Sequence, residues 1–230
     1  MSYISLHTHS NYSLLQGLSK IDALIEQAKK HNMSALALTD LHNLYGAIPF
    51  YKKCIAADIK PILGINAYVA ETSHTIMQPD PKNRTFHLTL LSENDEGYKN
   101  LIKLVTLGHL NGFYYTPRID KDLLKKHAKG LIALSGDMAG EIPKALWNND
   151  FEKAVELVKE YKDIFGNKNF FLEISHHPHI ERHEEIMDGI IKLSEETDTP
   201  LVATQDSYYI HREDKEAHRT LLSVQSSHIS

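Results

Sequence analysis

The chain has 230 residues, 42% of them hydrophobic and 24% charged, with a formal net charge of −5. That balance excludes a disordered chain, and a pI near 6.3 excludes a module that coats DNA through massed lysine and arginine. No apolar run approaches the ~18 residues a membrane helix needs, and the length suffices for a core that folds without disulfides.

Short apolar segments alternate with longer segments of helical period. A strand at 3–7 precedes a helix at 20–31 capped by Ser19, and a strand at 35–39 precedes a helix at 45–58. The strand at 61–69 runs into the one long polar loop, 71–84, which carries Pro79 and Pro81. A strand at 86–91, a helix at 94–109 behind Asn94, a strand at 130–135 and a helix at 139–148 follow. The clearest helix is 151–165 behind Asp150, where Phe151, Val155, Val158 and Phe165 with their neighbours Ala154, Leu157, Tyr161 and Ile164 form one apolar stripe. A strand at 170–174, a helix at 180–196, a strand at 201–204 and a helix at 213–225 complete the series. This alternation predicts an α/β fold with parallel pairing through right-handed crossovers. Seven strands in this length predict a (β/α) barrel rather than an open sheet, and no linker interrupts 1–230, so one domain is expected.

The N-terminus lacks a basic region followed by an apolar stretch, so no secretory signal is expected. The single cysteine, Cys54, has no partner for an internal disulfide and suits a reducing cytoplasm, where the protein is expected. Cys54 itself reads as a small buried side chain on a helix. Histidine is the unusual component: 15 residues, six of them between His176 and His218.

In a parallel barrel the C-terminal strand ends share one mouth, where active sites are built. The polar residues predicted there are His7 and His9, Asp40 and His42, Asn66, His87, Asp137, Glu173 and Asp206. His7 and His9 are two apart, so an extended chain points both to one side. Imidazole and carboxylate are the usual ligands of zinc, manganese and iron. A polar mouth tied together by hydrogen bonds uses the same residues, and the pattern alone leaves both readings open.

The sequence around these positions resembles a known family. His7-Thr8-His9-Ser10 with Tyr12-Ser13-Leu14-Leu15, Ala37-Leu38-Thr39-Asp40 and Asn43-Leu44-Tyr45-Gly46 resemble the start of bacterial replicative DNA polymerase III alpha subunits. The resemblance continues through Ile59 to Gly64, His87 to Leu91, Gly112 to Tyr115, Leu131 to Gly136, Leu172 to Ile174 and Ala203 to Asp206. It covers nearly the whole chain in order. The matching region is the polymerase and histidinol phosphatase (PHP) domain, which implies a distorted seven-stranded (β/α) barrel at the N-terminal end of a longer polymerase chain. Implied partners are the remaining polymerase domains, a proofreading exonuclease subunit and, through the full-length enzyme, primer-template DNA. The parent would be a DNA-directed DNA polymerase, a nucleotidyltransferase whose polymerase site lies outside 1–230. No residue here is assigned to that reaction, and no membrane is expected as a partner.

Family members with an intact PHP site hold up to three metals at about nine positions. By that resemblance His7, His9, His87 and Asp206 match ligand positions, and Asp137 stands where Cys or His is usual. Gln16, Leu41, Asn66 and Tyr208 depart from the pattern, with His42 one residue beyond the usual histidine. A bridging carboxylate supplies charge that a neutral amide such as Asn66 lacks. The expectation is therefore a degenerate site, holding zinc, manganese or magnesium if anything, in a domain that serves as scaffold and docking surface. The alternative is an active phosphoesterase, a 3′–5′ exonuclease or pyrophosphatase using His7, His9, His87, Asp137 and Asp206. A free-standing histidinol-phosphatase-like enzyme fits the motifs less well.

Bland roles are expected elsewhere. Asp40 caps the turn after its strand, and Glu173 either orients a ligand or pairs with Arg118. His176, His177, His179 and His183 lie on a solvated loop entering a helix. Lys52, Lys53, Lys60, Lys121, Lys125, Lys126 and Lys129 read as ordinary surface charge, with acids interspersed.

Overall fold

A computed structural model describes residues 3–226, as two compact units. One comprises the chain up to Ile65 together with the part from Gln205; the other runs from Asn66 to Thr204.

The first unit contains α1 (Ile21–Lys30), β1 (Ala35–Leu38), α2 (Ala47–Ala56) and the beginning of β2 (Lys60–Ala70). Ile21, Leu24, Ile25 and Ala28 recur at helical spacing and bury the inner face of α1 against Leu36, Leu38, Phe50, Cys54 and Ile59. Each leucine, isoleucine or phenylalanine among them contributes about 1.5–3 kcal/mol of burial. β1 and β2 pair in parallel, Ala35 opposite Lys60 through Leu38 opposite Leu63. Burial of Cys54 pushes its thiol up to about 11, so it stays protonated and inert near neutrality.

Residues 3–7 do not form the expected strand. They carry no strand and bend at His7, with Thr8 in an isolated parallel bridge to Ser207. The segment is held by single bonds: Ala37 N donates to Ser5 O, Thr39 N to Thr8 O and His9 N to Ser207 O, at 2.8–2.9 Å. A strand needs a continuous ladder, and the short stretch around 207 supplies only one bridge. Nor does Ser19 cap α1. The helix begins behind Lys20 because Ile21 is already a core residue, which leaves Ser19 one position too early.

From its other end this unit adds a 3₁₀ turn, Arg212–Asp214, and α8 (Lys215–Ser226). Among the described residues no helix is long and apolar enough to cross a membrane.

The second unit takes up β2 from Asn66 and continues with β3 (Thr85–Ser92), α3 (Asp95–Asn111), β4 (Phe113–Tyr114), β5 (Thr116–Pro117) and β6 (Ile119–Asp120). It goes on with α4 (Lys121–His127), β7 (Leu131–Leu134), α5 (Glu141–Trp147), α6 (Phe151–Phe165), β8 (Phe170–Ile174), α7 (His183–Thr197) and β9 (Leu201–Ala203). In its sheet β2 is followed by β3, β7, β8 and β9, and β6 pairs with β2; β4 and β5 make a separate antiparallel hairpin. β7, β8 and β9 pair in parallel as expected, with α5 and α6 between the first two and α7 between the last two. β3 and β7 are antiparallel, against expectation. No helix separates β2 from β3. The loop 71–84 closes on itself, Glu71 N to Arg84 O at 2.8 Å, and so turns the chain without a crossover.

Asn94 and Asp150 cap α3 and α6 as predicted, accepting from Gly97 N and Lys153 N at 3.0 Å. At Gly97 the helix comes so close to the turn at Gly130 that a Cβ would sit 1.7 Å from its carbonyl oxygen. α4 was not evident in the sequence. Asp120 opens it by accepting from Leu123 N at 2.9 Å.

Candidate metal centre

His7 and His9 flank Thr8, which bridges to Ser207, and His7 stands at a bend. Both are fully buried. Their rings lie 5.2 Å apart, and Asp206 closes the group from the segment that bridges to Thr8. Asp206 Oδ1 is 3.5 Å from His7 Nε2 and 2.9 Å from His9 Nε2. Ligand atoms of the three residues all lie within 4.8 Å of one another. Among the described residues this is the one group of three or more His, Cys, Asp or Glu that meets that spacing.

Burial pushes the His9 imidazole below its ordinary value, against the pull of the Asp206 carboxylate. The neutral ring is the form that ligates a metal. His9 Nε2 is buried and makes no hydrogen bond, although it touches Asp206 Oδ1. A buried nitrogen without a proton partner, beside a second imidazole and a carboxylate, fits a divalent cation of the zinc, manganese or iron kind.

Supporting groups hold this arrangement. Tyr208 stacks on His9 at 4.2 Å, with the ring planes 6° apart. Tyr208 and Tyr209 in turn adjoin the ring of His218, which bonds Gln16 O at 2.9 Å. Asp40 does not cap the turn after β1 as expected. Its carboxylate accepts from Ser10 N and Ser10 Oγ at 2.7 Å and from Ser13 Oγ at 2.6 Å. These bonds fold the 10–18 loop back toward Asp40, and Gly17 is required within it, since a Cβ there would sit 2.0 Å from Ser10 O. Leu41 is buried. His42 is held in the left-handed region at φ 55° and does not join the His7, His9, Asp206 group.

Ser10 and Ser13 were not assigned a role from sequence. The available signal was a pair of hydroxyls three apart directly after His-Thr-His, a spacing common in side-chain-closed turns.

The second unit brings His87 and Asp137 toward each other, Nδ1 to Oδ1 at 3.9 Å. Asp137 Oδ1 also accepts from Ala139 N at 2.9 Å, and His87 N donates to Ala139 O at 3.0 Å. Asn66 and Glu173 are buried, and Glu173 accepts from Thr204 Oγ1. Arg118 does not pair with Glu173. It spends its guanidinium on the carbonyls of Gly112, His74 and Ile76.

The 176–183 histidines do enter a helix, yet His183 is 2% exposed rather than solvated. It meets the His177 ring at 5.4 Å and Ser175 Oγ at 3.2 Å. Several of the lysines meet acids: Lys53 pairs with Asp22, Lys129 with Glu96, and Lys121 lies between Glu141 and Glu160.

The family described as PHP domain matches residues 5–177. The DNA polymerase III subunit alpha of Borreliella burgdorferi is 46% identical over 223 residues, which are 96% of this chain and 19% of that protein. The DNA polymerase III subunit alpha of Treponema pallidum is 40% identical over 230 residues, again 19% of its length. The chain thus spans about a fifth of the curated relatives it matches. A solved structure from Bifidobacterium adolescentis, described as a metal-dependent phosphoesterase, superposes with a TM-score of 0.58 at 10% identity. It covers 90% of this chain and 87% of its own. That likeness is one of fold alone, mixed α/β and in line with the distorted (β/α) barrel expected from sequence.

Proposed function

Because the chain belongs to the PHP domain family, we propose that it acts as the PHP domain of a DNA polymerase III alpha subunit, a scaffold and docking domain that retains a reduced metal site. The observation that carries this reading is the group formed by the buried His7 and His9 with Asp206. Three donors of this kind hold one cation. Two neighbouring positions where the family resemblance puts ligands carry instead a buried Leu41 and a Tyr208 stacked on His9. Asn66 supplies no charge at the position of a bridging carboxylate. His87 and Asp137 stand as further donors of the ancestral set.

A bound divalent ion would polarise a phosphoryl oxygen and lower the pKa of an attacking water. This chain's residues supply the holding of such an ion: two buried imidazoles, one carboxylate and a surround that strengthens both. What they lack is the charge to bring two or three cations within a few ångströms, which phosphoester hydrolysis by a metal cluster uses. The partners of the reading are the rest of the polymerase chain, a proofreading exonuclease subunit and primer-template DNA, in the cytoplasm.

The test is hydrolysis of a phosphodiester and of single-stranded DNA 3′ ends by the 230-residue chain, supplied with millimolar Mn²⁺ or Zn²⁺. The expected result is no turnover above that of the His9→Ala variant. Turnover that His9→Ala abolishes would overturn the scaffold reading in favour of the phosphoesterase, the activity ascribed to the Bifidobacterium protein of like fold.

A further inference from the structure

We propose that Ser13 is a positioning residue that, through Asp40, fixes the Nδ1–H tautomer of His9 and so turns the bare Nε2 toward the cation site. This rests on the reading of His7, His9 and Asp206 as a metal site and adds the residues that orient one of its ligands. The Asp40 carboxylate accepts from Ser10 N and Ser10 Oγ at 2.7 Å and from Ser13 Oγ at 2.6 Å. A carboxylate only accepts, so the single hydroxyl hydrogen of Ser13 is committed to Asp40. Leu41 N donates to Ser13 Oγ at 3.1 Å.

The remaining lone pair of Ser13 faces His9 Nδ1 at 3.1 Å. That contact is attractive only when Nδ1 carries the proton. A neutral imidazole has one N–H, so Nε2 is left bare. It faces Asp206 Oδ1 at 2.9 Å, the carboxylate with which it would share a cation. Tyr208, stacked flat on the ring, keeps it from flipping. Hydrogen bonds from the outer nitrogen of a ligand histidine fix its tautomer and orientation in metal sites generally.

The experiment is long-range ¹H–¹⁵N correlation of the His9 ring in the metal-free 230-residue chain, followed by calorimetric titration with Zn²⁺. Wild type should show Nδ1 protonated and Nε2 bare. Ser13→Ala should move population to the Nε2–H form and weaken Zn²⁺ binding by about 10- to 100-fold. Ser13→Thr, which keeps the hydroxyl, should restore both. An Nε2–H tautomer in wild type overturns the proposal without any variant, as does an unchanged tautomer in folded Ser13→Ala. A wild type that shows the Nδ1–H form but binds no Zn²⁺ overturns the metal reading itself and leaves the tautomer assignment standing.

Discussion

His183 opens α7 from a buried position, and its surroundings give it a pH signature. Burial and then the neighbouring His177 and His176 hold its imidazole below 6.5, with only Glu184 pulling the other way. The unfolded chain therefore takes up this proton first as pH falls. Above pH 6.5 the ring is neutral in both states and contributes no pH dependence; below it, stability is lost progressively. Urea unfolding at pH 7 and pH 5 should show a loss in wild type that shrinks in His183→Gln, and an equal loss in both would contradict this. At the proposed metal site, the sequence displayed the candidate ligands but not their supports. His7 and His9 sit two apart in the sequence, which is visible without a structure. Ser13 and Asp40 lie 27 residues apart in sequence, and only the folded chain brings them together.

Among the elements, caps separate what the sequence shows locally from what packing decides. Asn94 and Asp150 accept from the first turns of α3 and α6, so replacing either by alanine should cost about 1 kcal/mol in denaturant unfolding. Ser19→Ala should cost close to nothing, because Ser19 Oγ is buried without a hydrogen-bond partner. A loss of similar size at all three positions would show that Ser19 caps α1 after all. α6 matches its predicted limits, Phe151–Phe165, because a continuous apolar stripe and a capping Asp mark it. β8 does so because five residues of apolar and aromatic character have turn residues on either side. α4 escaped notice for the opposite reason: it has seven residues, and only Leu123 and Leu124 are buried. Its cap, Asp120, was the available signal. The 3–7 segment looks like a strand in composition, but a ladder depends on a partner far along the chain, which local pattern does not contain.

For the molecule as a whole, alternation of strands and helices made the α/β class legible. The antiparallel β3–β7 pair was not, since it follows from a helix-free return through 71–84. The chain spans about a fifth of its curated relatives. On the proposed reading an ancestral metal cluster has contracted to a single cation position while the surrounding scaffold has been kept. The direct measurement is anomalous diffraction from crystals of the chain soaked in Zn²⁺ or Mn²⁺. The account predicts one peak, bounded by His7 Nε2, His9 Nε2 and Asp206 Oδ1, and its disappearance in His9→Ala. Two or three fully coordinated peaks in the same site would contradict it.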